Sequence, residues 1–433
     1  MPLRMLEQEE STMYEMTPIK IETPVIIIGA GPAGAGVSIY LTKAGIPHVI
    51  LEKESFPRDK ICGDACSGKT AFVLRKANPQ WLAEIFQQGE QFLPSHGIIF
   101  VAPNGKALSI PYKADRQPGE QAPGFTTPRL IFDNFLFEKL ASPQSTIYQN
   151  TSVKSIIRNA DGVKVVFLQD GKTYELSAPL LVGADGDKSQ VRKNLLNDNS
   201  SSKAYAVGLR AYYTGVTELN EENFIELHFL PELLPGYFWI FPLPNGSVNV
   251  GVGILSERIR QKKMNLREQM LNAIKHNPNI RHRFANAKLV DKIQGWGLPM
   301  GTEKLPVSGD NFLLVGDAAS LIDPFSGEGI GNALYSGMLA AYAIEKSLEA
   351  GKFDASFLKQ SYDEPLHRRI GDELKLSARL QRLCRYPWLF NLVVNKAHRS
   401  PSLSKTISCM FTDLDLREQL RKPSFYAKIL FNR

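Results

Sequence analysis

Val25-Ile26-Ile27-Ile28 runs straight into Gly29-Ala30-Gly31-Pro32-Ala33-Gly34, an apolar buried-strand pattern that ends in a glycine turn and opens a helix. Each glycine has a mechanical reason to be there. Gly29 permits the tight turn, Gly31 lets main-chain N–H groups approach a pyrophosphate, and Gly34 lets helix and strand pack closely. The helix start adds unpaired N–H groups and the positive end of the helix dipole, so an anion is favoured there. A second apolar strand, His48-Val49-Ile50-Leu51, ends at Glu52, about 20 residues after the turn, where an acidic side chain accepts from ribose hydroxyls. Strand, turn, helix and acid in this order predict a dinucleotide whose adenosine ribose carries no 2′-phosphate.

A distant segment selects which dinucleotide. Phe312-Leu313-Leu314-Val315 runs into Gly316-Asp317-Ala318-Ala319, and a strand that ends in Gly-Asp presents a carboxylate to a ribityl hydroxyl. Pro324-Phe325-Ser326-Gly327-Glu328-Gly329-Ile330-Gly331-Asn332-Ala333 follows, a glycine-rich loop leading into another helix start, whose N–H groups can face an electron-rich ring edge. A nicotinamide ring has no ribityl chain and needs no such loop. The expected cofactor is therefore FAD, held without a covalent link because no motif demands one.

The glycine turn, Gly183-Ala184-Asp185-Gly186 and Gly316-Asp317 together resemble the para-hydroxybenzoate hydroxylase superfamily of flavoproteins. Pro57-Arg58-Asp59-Lys60-Ile61-Cys62-Gly63, Tyr237-Phe238-Trp239-Ile240-Phe241-Pro242 and Asn249-Val250-Gly251-Val252-Gly253 narrow the resemblance to the geranylgeranyl reductase family. It runs from about Thr23 to Leu348 and implies a flavin enzyme that reduces carbon–carbon double bonds of a polyprenyl or related lipid. The same fold leaves open an aromatic hydroxylase and a flavin-dependent halogenase. From a different class, a flavin-stabilised lipid carrier without turnover stays open too. No second glycine turn with its own strand and helix announces a nicotinamide domain, so the electron donor is NAD(P)H bound transiently or another reductant.

The 433 residues exceed what one core supports, so at least two domains are expected. The apolar fraction of 43% and charged fraction of 22% are those of a globular enzyme. Met1 to Glu22 lacks the apolar run of a signal peptide, and no stretch reaches the roughly 18 apolar residues of a membrane span. Four cysteines in so long a chain do not suggest a disulfide framework. The expected compartment is the cytoplasm. From Lys375 onward, twelve basic residues face only Asp413, Asp415 and Glu418, an excess of +9 against a whole-chain net of +7, so the remainder is slightly acidic. Tyr386, Trp388, Leu389, Phe390, Phe411, Phe425, Tyr426 and Phe431 interleave with them. That mixture suits an anionic membrane surface, or a helical segment packing its apolar face on the body. Zinc-ligand spacing and nucleic-acid signatures are absent, so neither a metal nor a nucleic acid is expected.

The fold class expected is α/β, α+β overall: a doubly wound Rossmann-like FAD domain, an inserted antiparallel-sheet substrate domain and a C-terminal helical segment. Its division along the chain is 1–22 (N-terminal extension), 23–92, 128–190 and 301–348 (FAD domain), 93–127 and 191–300 (substrate domain), and 349–433 (helical segment). A hairpin from His96 to Tyr112 turns at Pro103-Asn104-Gly105. A helix after Pro128 carries Arg129, Asp133, Leu136 and Leu140. Thr146 to Ala184 reads as a three-stranded meander with turns at Asp161-Gly162 and Asp170-Gly171, closed by an apolar strand. A hairpin turning at Pro244-Asn245-Gly246 lies in the strand-rich region from Ala204 to Ile254.

Arg58 and Lys60 belong to a loop that in the resembled family lies beside the flavin. Cys62 falls on that family's cysteine position, where a thiol shapes the cavity or donates a proton, although a small buried filler explains it nearly as well. Cys66 is at the wrong spacing for a thioredoxin-like pair. Arg129 resembles an arginine facing the FAD from a helix start, and Asp185 with Gly186 would touch it near the pyrophosphate and ribityl region. Ala33, Lys53, Gly63 and Val153 complete the cofactor set, together with Pro324, Gly327, Gly329 and Ile330 of the second loop. Tyr237, Trp239 and Phe241 alternate and so share one face of a strand, a substrate wall that joins Cys62 in the catalytic set. Gly251 and Gly253 thin the adjacent strand where a ligand could approach. His228, without a partner at catalytic spacing, is read as structural.

Overall fold

A computed structural model describes residues 18–113, 116–117, 119–196 and 205–400. Most of the 1–22 extension and residues 401–433 of the basic segment lie outside these. The chain opens with β1 (Ile19–Glu22), β2 (Val25–Ile28), α1 (Pro32–Lys43) and β3 (His48–Leu51). The four residues of β2 and of β3 are all buried. This is why both read as unbroken apolar runs: a parallel sheet covered on both faces leaves no polar side to alternate with. Beyond two helices, Gly68–Ala77 and Pro79–Gln87, lie β4 (Gly97–Val101) and β5 (Ala107–Pro111), the expected hairpin, and then α2 (Arg129–Glu138). The latter ends before Leu140, which is buried just past its C-terminus.

Four strands follow closely: β6 (Ser145–Tyr148), then β7 (Ser152–Asn159), β8 (Gly162–Gln169) and β9 (Lys172–Ala178), which form the meander. Two corrections arise here. The residues read as the meander's first strand split, and β6 leaves to pair parallel with β3. The end of the extension is a strand, β1, parallel to β9. After β10 (Leu180–Gly183) the central sheet is completed by β16 (Phe312–Leu314), in the order β16, β10, β2, β3, β6, with Ser308–Gly309 antiparallel at its edge. Each buried Val, Leu or Ile on these strands contributes about 1.5–3 kcal/mol, and together with α1 they form the largest core.

The second large sheet contains β11 (Tyr205–Thr214), β12 (Ile225–His228), β13 (Tyr237–Pro242), β14 (Ser247–Leu255) and β15 (Gln294–Pro299). Its main path runs β11, β14, β13, β12, β4, β5, with β15 on the free side of β11. The expected antiparallel sheet is mixed, because β12 and β4 pair in parallel; the two come from chain segments too far apart to be joined by a hairpin. The chain then returns to helices: α3 (Ile330–Ala350) packs against α1, and α4 (Asp372–Leu383) and α5 (Pro387–Ala397) end the described chain. A cavity of about 1650 Å³ lies between the parallel sheet and the mixed sheet. That exceeds the roughly 300–1,000 Å³ of an ordinary ligand pocket and leaves room for a dinucleotide and a second molecule.

Candidate active site

The glycine turn forms one end of this cavity. Gly29 has φ +103°, and a Cβ on Gly34 would run into the Gly29 carbonyl oxygen, so both glycines are required by the turn itself. Gly31 differs. Its backbone is extended, and the nearest atom to a Cβ there would be the Arg58 guanidinium, 3.4 Å away. The space above Gly31 is therefore open, and α1 begins beside it at Pro32 with no side-chain cap on its first N–H groups. An anion fits this position.

Charge around the turn agrees. Arg129 grips Asp133 through Nε and Nη2 at 2.6 and 2.7 Å, while Arg58 donates to the same carboxylate at 2.7 Å. Two guanidiniums on one buried carboxylate leave a surplus positive charge on the cavity wall, suited to a pyrophosphate. Glu52 is buried at the end of β3, but both its oxygens receive main-chain N–H groups, Ala30 at 2.7 Å and Glu54 at 2.9 Å. It fixes the turn first and reaches a ribose only with its remaining lone pairs. Lys53 stands exposed at the cavity rim. Val153 lines the cavity from β7, beside Thr151, whose hydroxyl and N–H both bond the Glu52 carbonyl.

The far half of the cofactor set lies around the ends of β10 and β16. Asp185 Oδ2 accepts the Gln190 N–H at 2.6 Å, whereas its buried Oδ1 has no hydrogen-bond partner among the described residues. Burial raises the Asp185 carboxyl. Gly186 lines the cavity. Asp317 also lines it; burial raises its carboxyl, and Lys60 and Arg129 oppose that rise. Lys60, held over the Trp296 ring at 3.8 Å, is lowered to about 8, mainly by burial. Gly316 and Gly34, placed in the cofactor set by sequence, do not line the cavity and serve as packing behind it.

In the second loop, Pro324, Gly327, Gly329 and Ile330 line the cavity. Several of the N–H groups expected to face the ring are already engaged. Phe325 and Ser326 donate to Asp323 at 2.9 and 2.8 Å, and Gly331 donates to Glu328 at 2.6 Å. The loop is thus preset by its own carboxylates.

Tyr237, Trp239 and Phe241 do share one face, and all three line the cavity with Phe325, Ile225 and Leu227. The Tyr237 hydroxyl donates to the Ser326 carbonyl at 2.6 Å, tying the substrate wall to the second loop. The space beside Gly251 is not left for a ligand: that residue pairs with Trp239 across the strands, and a Cβ on it would collide with the indole. The glycine makes room for the tryptophan. Cys62 and Cys66 are both free thiols. Burial pushes the Cys62 thiol up, and its sulfur accepts from the Arg129 side chain and the Asp64 N–H.

Asp64 and Asn249 carry a network that the sequence reading missed. Asn249 Oδ1 accepts the Trp239 indole N–H at 2.8 Å, and its Nδ2 donates to the Cys62 carbonyl and to Asp64 Oδ2, each at 2.8 Å. The Tyr212 hydroxyl reaches the same Asp64 oxygen at 2.7 Å. An aspartate directly after a glycine reads as a turn residue, and its partners lie 148 and 185 positions away. His228 does have a buried partner: it bonds Glu226 at 3.0 Å, and Arg283 holds the same carboxylate at 2.6 and 2.7 Å. That cluster lies away from the cavity lining.

The comparisons with known proteins agree with this geometry. The family described as FAD binding domain matches residues 22–364. A menaquinone reductase of Mycolicibacterium smegmatis is 30% identical over 336 residues, 73% of this chain and 75% of that protein. A digeranylgeranylglycerophospholipid reductase of Methanosarcina mazei is 26% identical over 362 residues, 83% of this chain and 84% of that one. The crystal structure of a geranylgeranyl bacteriochlorophyll reductase-like protein from Thermoplasma acidophilum superimposes with a TM-score of 0.75 at 19% identity, covering 93% of this chain and 99% of that one, which shows the fold. An open glycine turn backed by guanidiniums, buried carboxylates on Asp185 and Asp317 beside the cavity and a family match over most of the chain lead to one conclusion: the chain belongs to the FAD binding domain family and is an FAD-dependent oxidoreductase.

Proposed function

We propose that this enzyme reduces carbon–carbon double bonds of a polyprenyl-bearing lipid. The observation that carries the reading is the aromatic wall of Tyr237, Trp239 and Phe241, which lines the same cavity as the cofactor cradle and is pinned at Tyr237 by Ser326 and at Trp239 by Asn249. An apolar, shaped chamber suits an isoprenoid chain, which offers no polar group to orient it and must be held by shape. The names of the relatives point the same way. Gly29, Gly31, Arg58, Arg129, Asp185, Gly186 and Asp317 would hold FAD, which supplies hydride from its N5 when reduced. The protein contributes orientation and exclusion of water. Lys60, Cys62 and Gly63 would border both ligands. The division of the chain into FAD, substrate and C-terminal helical parts belongs to the same reading. NAD(P)H or another reductant recharges the flavin.

The same reading gives the enzyme peripheral contact with a membrane, where such a lipid resides. No helix among the described residues is long and apolar enough to cross one. Contact would come from the basic C-terminal segment. The decisive experiment is mass spectrometry of lipid that copurifies with the protein, followed by anaerobic mixing of the reduced enzyme with that lipid. A bound polyprenyl species that loses a double bond as the flavin reoxidises is the expected result. Reoxidation only by oxygen, with product hydroxylation or halide dependence, would overturn it.

A further inference from the structure

One face of the mixed sheet carries the aromatic wall and also grips the loop that runs from Arg58 to Asp64. Two adjacent cross-strand rows make up this face: Phe241, Asn249 and Tyr212 are paired in one, and Trp239, Gly251 and Arg210 in the next. Residues two apart along a strand point to the same side, so both rows meet the loop together. Tyr212 donates to Asp64 at 2.7 Å and Arg210 to Asp59 at 2.5 Å. A Cβ on Gly63 would lie 3.0 Å from the Phe241 ring, so the loop lies flat on the first row. Asn249 joins the two halves, because it bonds the wall on one side and the loop on the other. Resting on the lipid-reductase reading, we infer that Asn249 is a positioning residue for the reaction: it fixes the Trp239 ring relative to the Cys62 edge of the chamber and so sets where the alkene lies.

Three observations carry the inference. The first is the use made of the amide. Its Oδ1 accepts the Trp239 indole N–H at 2.8 Å, and its Nδ2 gives one hydrogen to the Cys62 carbonyl and the other to Asp64 Oδ2, each at 2.8 Å. An indole N–H only donates and a main-chain carbonyl only accepts, so these partners dictate which way the amide faces. A carboxylate would lack the donors, and a hydroxyl has one hydrogen where two are needed. The second observation is access. Asn249 is fully buried and does not line the cavity, whereas Trp239, Cys62 and Gly63 do, so it acts only through the groups it holds. The third is the independence of the cofactor end. Arg58 is tied to Asp133, and Arg210 ties Asp59 to Asp291. Those contacts survive when Asn249 is replaced, while the Trp239 N–H has no other acceptor among the described residues.

The consequence is geometric. Hydride transfer needs the reacting atoms held at contact distance, and an isoprenoid chain has no polar group by which to be oriented. The rings and the loop that flank it must therefore be registered against each other, and a displacement of about 1 Å costs on the order of 100-fold in rate. Asn249→Ala deprives the indole N–H of its acceptor and the Cys62 carbonyl of this donor, and lets wall and loop move separately.

The test uses full-length, FAD-loaded enzyme and geranylgeraniol dispersed in detergent, whose only reducible groups are its double bonds. Two readouts are taken: the change in oxidised-flavin absorbance on adding the alcohol, which needs no turnover, and the single-turnover rate at which dithionite-reduced enzyme forms saturated product without oxygen. Asn249→Ala should keep its flavin and its reduction by dithionite, lose most of the absorbance change and react ~10- to 100-fold more slowly. Trp239→Phe removes the indole donor but keeps a ring, and should give a smaller loss in the same direction. The double variant should be no slower than Asn249→Ala, because the link is already cut. Val250→Ala is the control for stability: Val250 is buried in the core on the other face of β14, so this variant should melt lower yet react at the native rate per flavin. Native rate and absorbance change in Asn249→Ala, losses that simply multiply in the double variant, or an equally slow Val250→Ala would each overturn the inference alone. A wild-type enzyme that forms no saturated product overturns the lipid-reductase reading and this inference with it.

Discussion

Side chains added at two glycines three residues apart have opposite consequences. Gly31 is extended and faces open space bounded only by the Arg58 guanidinium, so Gly31→Val should fold and melt like wild type yet purify without yellow colour, because its side chain occupies the pyrophosphate's volume. Gly34 faces the carbonyl of Gly29. There Gly34→Ala forces backbone apart and should lower stability by about 3 kcal/mol or more, before any cofactor is added. Equal melting temperatures for the two variants would show that the turn is not built as described. Asp317 sits between these extremes, since it supports no fold contact comparable to Gly34. Asp317→Ala should weaken FAD binding by roughly 1–3 kcal/mol, read as a ~5- to 150-fold rise in the flavin dissociation constant with little change in the apoprotein's melting temperature.

At the scale of elements, β13 and β14 show what a sequence discloses and what it hides. Alternation announced that Tyr237, Trp239 and Phe241 share a face, because side-chain direction in a strand is a local property. What holds Trp239 is not local. Its N–H goes to Asn249, and Gly251 opposite it makes room for the ring. The parallel sheet was legible for the same reason, from unbroken apolar runs, whereas the parallel pairing of β12 with β4 depends on segments over a hundred residues apart and left no local trace. Trp239→Ala should therefore have two effects: a stability loss of about 3–5 kcal/mol and a fall in turnover per bound flavin, with FAD content preserved. Stability loss with unchanged turnover per flavin would return the strand to the core alone. The neighbouring cluster on β12 makes a pH prediction. Burial would raise the Glu226 carboxyl, but the hydrogen bonds from Arg283 and His228 outweigh it and hold it below the ordinary glutamate value. A folded-state pKa below the unfolded one stabilises at and above the unfolded value, and that contribution is lost as pH falls through the folded one. Glu226→Gln strands the Arg283 charge and should lower stability by about 3–5 kcal/mol at neutral pH, the deficit shrinking as the medium is acidified below the glutamate range. Urea melts of both proteins at two pH values would measure it.

For the whole molecule, the question is how a lipid reaches a cavity enclosed between two sheets. Along α4, Leu376, Ser377 and Gln381 line that cavity, and the same helix leads into the exposed stretch Leu383, Tyr386 and Trp388, which are 40%, 56% and 66% accessible. From Leu374 to Ser400 the chain has no acidic residue, while Lys375, Arg379, Arg382, Arg385, Lys396 and Arg399 are basic. Exposed aromatics flanked by basic residues match an interfacial helix on an anionic bilayer, with Trp and Tyr at headgroup depth and each nearby cation adding about 1 kcal/mol of surface attraction. The helix that walls the chamber would then touch the membrane at its other end, giving a bilayer lipid a short path beside α4. Full-length protein should cosediment with phosphatidylglycerol vesicles, less with phosphatidylcholine, and progressively less as salt shortens the Debye length. Trp388→Ser together with Tyr386→Ser should reduce binding while leaving flavin content and turnover of detergent-dispersed substrate intact, because neither residue lines the cavity. Arg382→Glu with Arg385→Glu should abolish the salt-sensitive part. Binding that ignores lipid charge and survives all four substitutions would remove this surface from the membrane, and would leave residues 401–433 as the segment to test.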